Sequence, residues 1–340
     1  MEKIVFFEIE DWEKPYLEKD FQGKVLVFRK DKLDLDNVSE VSDATVISSF
    51  IYSTFSKEVL EKLPKLKFIA TRSVGFDHID LNTCKEKGVN VSYIPKYGGD
   101  TVAEHTFALI LAISRKLIPS VERTKKGDFS PEGLTGFDLY GKTLGVIGAG
   151  HIGKKVIEMA KCFGMKIIIF TRTKDAELAK DSSVTFAQDL GLLLSSSDIV
   201  TLHLPHTKET EHIINMGNIG KFKKGSVLIN TARGLLVETQ AILDGLEKGI
   251  LKAAGLDVLE EENPLKEERE LLTSEYLSKC DIKTQLLNHI LLTRDEVIIT
   301  PHNAFNSTEA LEQILSTTIS NIKAYLSGNP ENLVPQAGEQ

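Results

Sequence analysis

Short apolar runs rich in β-branched residues recur along this chain, separated by segments whose apolar residues fall at helical spacing. Ile4-Val5-Phe6-Phe7, Val25-Leu26-Val27-Phe28, Thr45-Val46-Ile47, Phe68-Ile69-Ala70 and Val89-Asn90-Val91 read as strands. Residues 56–63 and 80–87 read as helices, each opening on a capping-type residue. A second series runs through Thr143-Leu144-Gly145-Val146-Ile147, Ile167-Ile168-Ile169-Phe170, Ile199-Val200-Thr201-Leu202, Val227-Leu228-Ile229, Ala254-Gly255-Leu256 and Val297-Ile298-Ile299. Such alternation implies parallel sheets with helices over their faces. Between the two series, residues 101–126 read as one long helix. It is apolar around much of its circumference, so it is expected to pack between domains or subunits. The last helical segment, residues 307–326, has no sheet of its own left to cover and is expected to return to the first domain. The predicted fold is α/β with two doubly wound parallel-sheet domains. The first comprises residues 1–99 and 306–340; the second comprises residues 100–305 and includes the long helix.

Composition narrows the function classes. The 340 residues suffice for two ordinary cores, and 41% hydrophobic with 26% charged residues is the balance of a folded chain. A net charge of −8 with only short basic stretches, at 123–126 and 221–224, argues against a nucleic-acid partner. The apolar run at the N-terminus is too short for a signal peptide. The longest apolar stretch, residues 107–113, is too short to cross a membrane. Cys84, Cys162 and Cys280 are far apart and form no C-x-x-C pair, which fits a reduced, cytoplasmic setting without a zinc site.

The candidate chemistry starts at Gly148-Ala149-Gly150-His151-Ile152-Gly153, entered from a strand-like run and leaving into a helical one. A lone G-x-G-x-x-G also marks ordinary turns, but this context fits a dinucleotide site. The first glycine permits the tight turn, the second lets the backbone approach a pyrophosphate, and the third lets helix and strand pack closely. The helix N-terminus adds free N–H groups and a positive dipole end.

Three polar residues follow successive strand-like runs at their carboxyl ends, where doubly wound sheets bind ligands. They are Arg233 in Asn230-Thr231-Ala232-Arg233-Gly234, Glu262 after Gly255-Leu256-Asp257-Val258, and His302 in Thr300-Pro301-His302-Asn303-Ala304-Phe305. Arginine can bridge a carboxylate and a carbonyl oxygen with its planar fork while staying charged. Histidine can supply a proton near neutrality, and an adjacent carboxylate favours its charged form. Singly, each has a bland explanation: a surface arginine, a solvated acidic run at 260–262, a loop histidine. Together, downstream of the glycine turn, they point to hydride transfer between a nicotinamide cofactor and a small 2-oxo or 2-hydroxy acid.

Those three contexts resemble the catalytic trio of the D-isomer-specific 2-hydroxyacid dehydrogenases, and the similarity covers nearly the whole chain. Thr71-Arg72-Ser73-Val74-Gly75-Phe76-Asp77-His78-Ile79-Asp80 resembles the carboxylate-binding loop of the family's D-lactate dehydrogenase branch. Ile94-Pro95-Lys96-Tyr97, followed by Val102-Ala103-Glu104-His105-Thr106, resembles its entry to the long helix, and residues 263–295 resemble an insertion of that branch. The resemblance implies flavodoxin-like and Rossmann domains flanking a cleft, assembled as a homodimer. It implies that Val74 and Gly75 N–H groups hold the substrate carboxylate with Arg233, that His302 protonates the oxygen, and that Glu262 supports His302. Phe50, Tyr97 and Phe305 then border the side-chain pocket. His151 and Ile152 approach the pyrophosphate and Asp257 the nicotinamide carboxamide. Leu204, Pro205, Thr210, Thr231 and Ala232 line the rest of the cofactor groove.

One departure bears on cofactor choice. The acidic residue expected some 20 positions past the first glycine would grip the ribose hydroxyls of NAD. Thr171 stands there instead, followed by Arg172-Thr173-Lys174, whose cations could pair with a 2′-phosphate. NADP(H) is therefore favoured over NAD(H), against the reading that Arg172 merely covers the adenine. The expected reaction is pyruvate to D-lactate. Its rivals are reduction of glyoxylate, hydroxypyruvate or a branched 2-oxo acid and, from another class, a dinucleotide-sensing corepressor-like protein. A phosphoglycerate dehydrogenase is disfavoured by the short stretch after the last helix.

Overall fold

In the computed structural model, which describes residues 2–96, 98–261 and 282–335, the chain forms two units, Met1–Gly98 with Ser307–Gln340, and Gly99–Asn306. The first unit holds strands β1 (Lys3–Phe6), β2 (Val25–Phe28), β3 (Val46–Ser49), β4 (Phe68–Thr71) and β5 (Asn90–Ser92), in the parallel order β2-β1-β3-β4-β5. That is the flavodoxin-like order, reversing between β1 and β3. Helices Lys57–Glu61 and Leu81–Lys87 make crossovers, with Ser56 and Asp80 capping their first turns through the N–H groups of Val59 and Thr83. Because strand side chains alternate faces, Val5, Ile47 and Ile69 pack with Leu60 and Leu63, while Ile4, Phe6, Val46 and Phe68 face the opposite way. Leu315 and Ile322 of helix Thr308–Leu326 cover that second face, and Tyr325 stacks on Phe68 with centroids 4.3 Å apart.

The second unit holds β6 (Thr143–Ile147), β7 (Lys166–Phe170), β8 (Val184–Phe186), β9 (Ile199–Leu202), β10 (Ser226–Asn230), β11 (Leu251–Leu256) and β12 (Val297–Ile299). Their parallel order is β12-β11-β10-β9-β6-β7-β8, the Rossmann arrangement extended by one strand. The order reverses between β6 and β9, so the glycine turn after β6 and the loop after β9 open at the switch point. The edge strand β8 was not evident in the sequence, being short and only partly buried.

The long helix reads differently in the structure. It is two helices, Gly99–Ser114 and Leu117–Lys125, broken at Lys116, which takes a left-handed φ of 51°. Pro119 explains the break: in a continuous helix its ring would meet the carbonyl of Arg115, whereas in the first turn of a new helix it is tolerated. The first helix buries Val102, Ala103, Phe107, Leu109, Ile110 and Ile113; the second buries none of its residues. Among the described residues no helix is long and apolar enough to cross a membrane.

Candidate active site

The three glycines of the turn after β6 occupy three different environments. Gly148 has a φ of +94°, and a Cβ there would stand 2.5 Å from the His203 carbonyl oxygen. At Gly153 a Cβ would stand 2.2 Å from the Gly148 carbonyl oxygen, but at Gly150 it would meet nothing within 4 Å. Gly150 is the N-cap of helix His151–Cys162 and offers no side-chain cap to the first N–H groups of the helix. A tight first glycine, an open second and a close-packed third form a cradle that fits a pyrophosphate. Among the described residues His151 and Ile152 supply the first of those N–H groups, and the His151 ring lies over Gly99.

The loop after β9 closes the other side of the switch point. Leu204 packs against Gly148, and the Thr210 hydroxyl donates to the Pro205 carbonyl at 2.7 Å, curling residues 204–210 into a compact turn. His203 Nε2 lies 2.9 Å from Thr201 Oγ1, and burial pushes its pKa down to about 3, so it stays neutral.

At the end of β7, Thr171 donates to the Thr173 carbonyl at 3.3 Å, while Arg172 and Thr173 are exposed. Asp175, the next carboxylate, is engaged: Oδ2 pairs with Lys154 at 2.6 Å and Oδ1 accepts from the Glu177 and Leu178 N–H groups. The Lys154 contact and these N–H groups hold its pKa down. Lys174 lies over the Phe186 ring, 5.6 Å from its centroid. Arg172 hydrogen-bonds no described residue, and its charge helps the Thr207 hydroxyl lower the Glu209 pKa.

At the exit of β10 the buried Asn230 side chain shapes the turn. It accepts from the Ala232 N–H at 3.1 Å and donates to the Arg233 carbonyl at 2.8 Å. Thr231 Oγ1 lies 2.9 Å from Thr106 Oγ1, and Arg233 Nη1 donates to the Ala232 carbonyl at 2.7 Å. The role of Asn230 was missed from sequence, though an asparagine ending a strand before a turn is itself a turn signal.

Asp257, at the exit of β11, is 1% exposed and holds the loop that carries His302. Its Oδ1 accepts from the Thr300 hydroxyl at 2.5 Å and the Asn303 N–H at 3.0 Å; Oδ2 accepts from the Ala304 N–H at 2.9 Å. His105 Nε2 lies 3.1 Å from Thr300 Oγ1. His302 has a left-handed φ of 52°, its N–H donates to the Asp257 carbonyl at 2.9 Å, and its ring meets Phe305 edge-on at 6.5 Å. Arg233, Asp257 and His302 thus follow the adjacent strands β10, β11 and β12 at one edge of the sheet.

Glu262 and Tyr97 lie outside the described residues, as do residues 263–281 of the insertion. The acidic run is not a solvated face at its first position. Glu260 is 7% exposed, with Oε1 2.6 Å from His212 Nε2 and Oε2 accepting from the Thr239 N–H at 2.5 Å.

In the first unit, Val74 and Gly75 follow β4. Ser73 donates from its hydroxyl to the Gly75 carbonyl at 2.5 Å, while the N–H groups of Val74 and Gly75 have no acceptor among the described residues. Val74 is 40% exposed. Phe50 follows β3, with its ring edge-on to Tyr52 at 6.4 Å.

Known proteins resemble this chain in sequence and fold. The family model described as D-isomer specific 2-hydroxyacid dehydrogenase, NAD binding domain, matches residues 107–304. D-lactate dehydrogenase of Escherichia coli (strain K12) is 33% identical over 338 residues, 98% of this chain and 100% of that protein. Glyoxylate reductase of Thermococcus litoralis is 34% identical over 337 residues, 97% of this chain and 91% of that one. The crystal structure of D-lactate dehydrogenase from Aquifex aeolicus, complexed with NAD and lactic acid, has a TM-score of 0.85 at 37% identity and covers 96% of each chain. This chain belongs to the D-isomer specific 2-hydroxyacid dehydrogenases, oxidoreductases that use a nicotinamide dinucleotide. Within the family it falls in the D-lactate dehydrogenase branch.

Proposed function

We propose that this chain reduces a small 2-oxo acid to its D-2-hydroxy acid, pyruvate to D-lactate first among them, with NADP(H) preferred over NAD(H). The observation that carries the substrate class is the pair of successive N–H groups at Val74 and Gly75, without acceptors among the described residues, in the loop that leaves β4. Two adjacent N–H groups suit a carboxylate. In this reading the unit containing β1–β5 binds the substrate carboxylate, and the unit containing β6–β12 holds the dinucleotide.

When bound, the reduced nicotinamide supplies the hydride. Arg233 grips the carboxylate and polarises the carbonyl with its fork, oriented by the Asn230 turn. His302 donates the proton to the carbonyl oxygen, with Glu262 favouring its charged form. Asp257 fixes the loop under His302; its Oδ2, with one bond among the described residues, keeps an acceptor for the carboxamide. Phe50, Tyr97 and Phe305 border the substrate's side chain.

Supporting the NADP(H) preference, β7 ends without a carboxylate, Asp175 is engaged elsewhere, and Arg172 is exposed just beyond the end of β7. Leu117, Ile118 and Val121 are exposed on one helix and support assembly as a homodimer, which the mass in solution would test. Glyoxylate reductases match at the same level as D-lactate dehydrogenases, so a second reading keeps the chemistry and changes the oxo acid. The test is a steady-state screen of pyruvate, hydroxypyruvate, glyoxylate and 2-oxoisocaproate against NADH and NADPH. Pyruvate with NADPH should give the highest kcat/KM; a higher value for another oxo acid reassigns the substrate, and no turnover with any favours a sensing protein.

A further inference from the structure

We infer that Glu8 is a positioning residue for oxo-acid binding, joining the turn after β3 to the loop after β4 through its own side chain and carbonyl. The inference rests on the reading that the exit of β4 receives the substrate carboxylate.

Glu8 lies two residues beyond β1 and has a left-handed φ of 53°, a conformation that a glutamate seldom adopts. That bend sends its carboxylate toward β3. Oε2 accepts from the Tyr52 N–H at 3.0 Å, and Oε1 accepts from the Ser53 N–H at 2.9 Å and the Ser53 hydroxyl at 2.5 Å. Ser53 Oγ in turn accepts from the Leu33 N–H at 2.9 Å. The carboxylate thus holds the turn that begins at Phe50.

The carbonyl of the same residue faces β4. Arg72 Nη2 donates to it at 2.5 Å and to the Phe7 carbonyl at 2.9 Å, while the Arg72 N–H donates to the Ser49 carbonyl at 2.8 Å. Arg72 is 3% exposed; burial works against its charge, and Glu13, Glu8 and Glu10 favour it. One residue further on, the Ser73 hydroxyl donates to the Gly75 carbonyl, bracing the short loop that carries the Val74 and Gly75 N–H groups.

These contacts span the place where the first sheet reverses its order, between β1 and β3. Sheets of this order bind ligands at that point, beyond the strand ends. The left-handed backbone of Glu8 lets one residue bond to both sides of the crevice, its carboxylate to the turn after β3 and its carbonyl to Arg72 after β4. The arrangement links the turn carrying Phe50, which borders the substrate side chain, to the N–H pair that receives the substrate carboxylate. Glu8 therefore sets both the affinity for the oxo acid and the size of side chain accepted, without touching the substrate.

The test is Glu8→Gln in the whole protein, an isosteric change that aims an amide nitrogen at N–H donors. Leaving a buried donor unsatisfied should raise KM for pyruvate roughly ten-fold, with kcat nearly unchanged. The kcat/KM ratio of pyruvate to 2-oxoisocaproate should also shift, while NADPH affinity, read by its fluorescence, should hold. A merely structural role would lower the melting temperature and leave KM and the ratio where they were; that result in a folded variant overturns the inference. Should Glu8→Gln not fold, Ser53→Ala removes one donor and keeps both N–H bonds. It should move KM and the ratio in the same direction by less, and wild-type values there overturn the inference equally. A wild-type protein inactive on every oxo acid would instead overturn the reading on which the inference rests.

Discussion

A Cβ on Gly234 would stand 2.0 Å from the carbonyl oxygen of Leu259, so the turn carrying Arg233 lies directly on the backbone leading to Glu260. Gly234→Ala must force these two segments apart, because both contacting groups are main chain. It should destabilise the fold by about 1–3 kcal/mol, and a shift of Arg233 near 1 Å should cost roughly a hundred-fold in kcat/KM. Gly150→Ala provides the contrast: its Cβ meets open space, so melting should be unchanged while dinucleotide affinity falls. Thermal melts and cofactor titrations of both variants check the pair. An equal loss of stability in both would contradict it.

Arg233→Lys keeps the charge and loses the planar fork. If Arg233 grips the substrate as proposed, kcat/KM should drop by several orders of magnitude with the melting temperature little changed. An unaltered kcat/KM would remove Arg233 from the chemistry.

His302→Gln should lose on the order of 10²–10⁴ in rate while cofactor affinity is retained. Glu262→Gln addresses the pair. A carboxylate beside an imidazole favours the charged form, so its removal lowers the histidine pKa. Reduction needs that histidine protonated, so the alkaline fall in the pH–rate profile should move to lower pH. A profile that stays in place in Glu262→Gln would separate the two residues.

Cofactor choice is predicted to rest on Arg172 and on the absent carboxylate at Thr171. Loss of a charge-assisted contact is typically worth about 1.5–3 kcal/mol, so Arg172→Ala should erode a preference for NADPH by roughly ten- to a hundred-fold. Thr171→Asp should go further, adding an acceptor for the ribose and repulsion against the 2′-phosphate. The kcat/KM values for NADPH and NADH in each variant decide it; an enzyme that prefers NADH and ignores Arg172→Ala would sink the proposal. The oxo-acid chemistry does not depend on this outcome.

Much of this protein is local and was legible in the chain. The β-branched runs are recognisable because a buried strand needs apolar residues on both faces, whatever its neighbours. The glycine turn is recognisable because its three glycines answer three steric demands within six residues, and the structure shows each one separately. Where local signals were weak or mixed, the reading differed. Pro119 ends the first long helix although the apolar pattern runs on into the second, and β8 is too short and exposed to stand out.

What the sequence alone determined is the class of fold, the dinucleotide turn and the candidate chemistry at three strand exits. Tertiary structure alone decided how those exits are held. Asp257 reaches Thr300 across 43 positions, Glu8 reaches Ser53 across 45, and Glu260 reaches His212 across 48. None of these pairs has a periodicity or spacing that marks it. Each exists because a parallel sheet of a particular order brings the carboxyl ends of distant strands together, where a buried carboxylate must find donors from whichever loops the topology supplies.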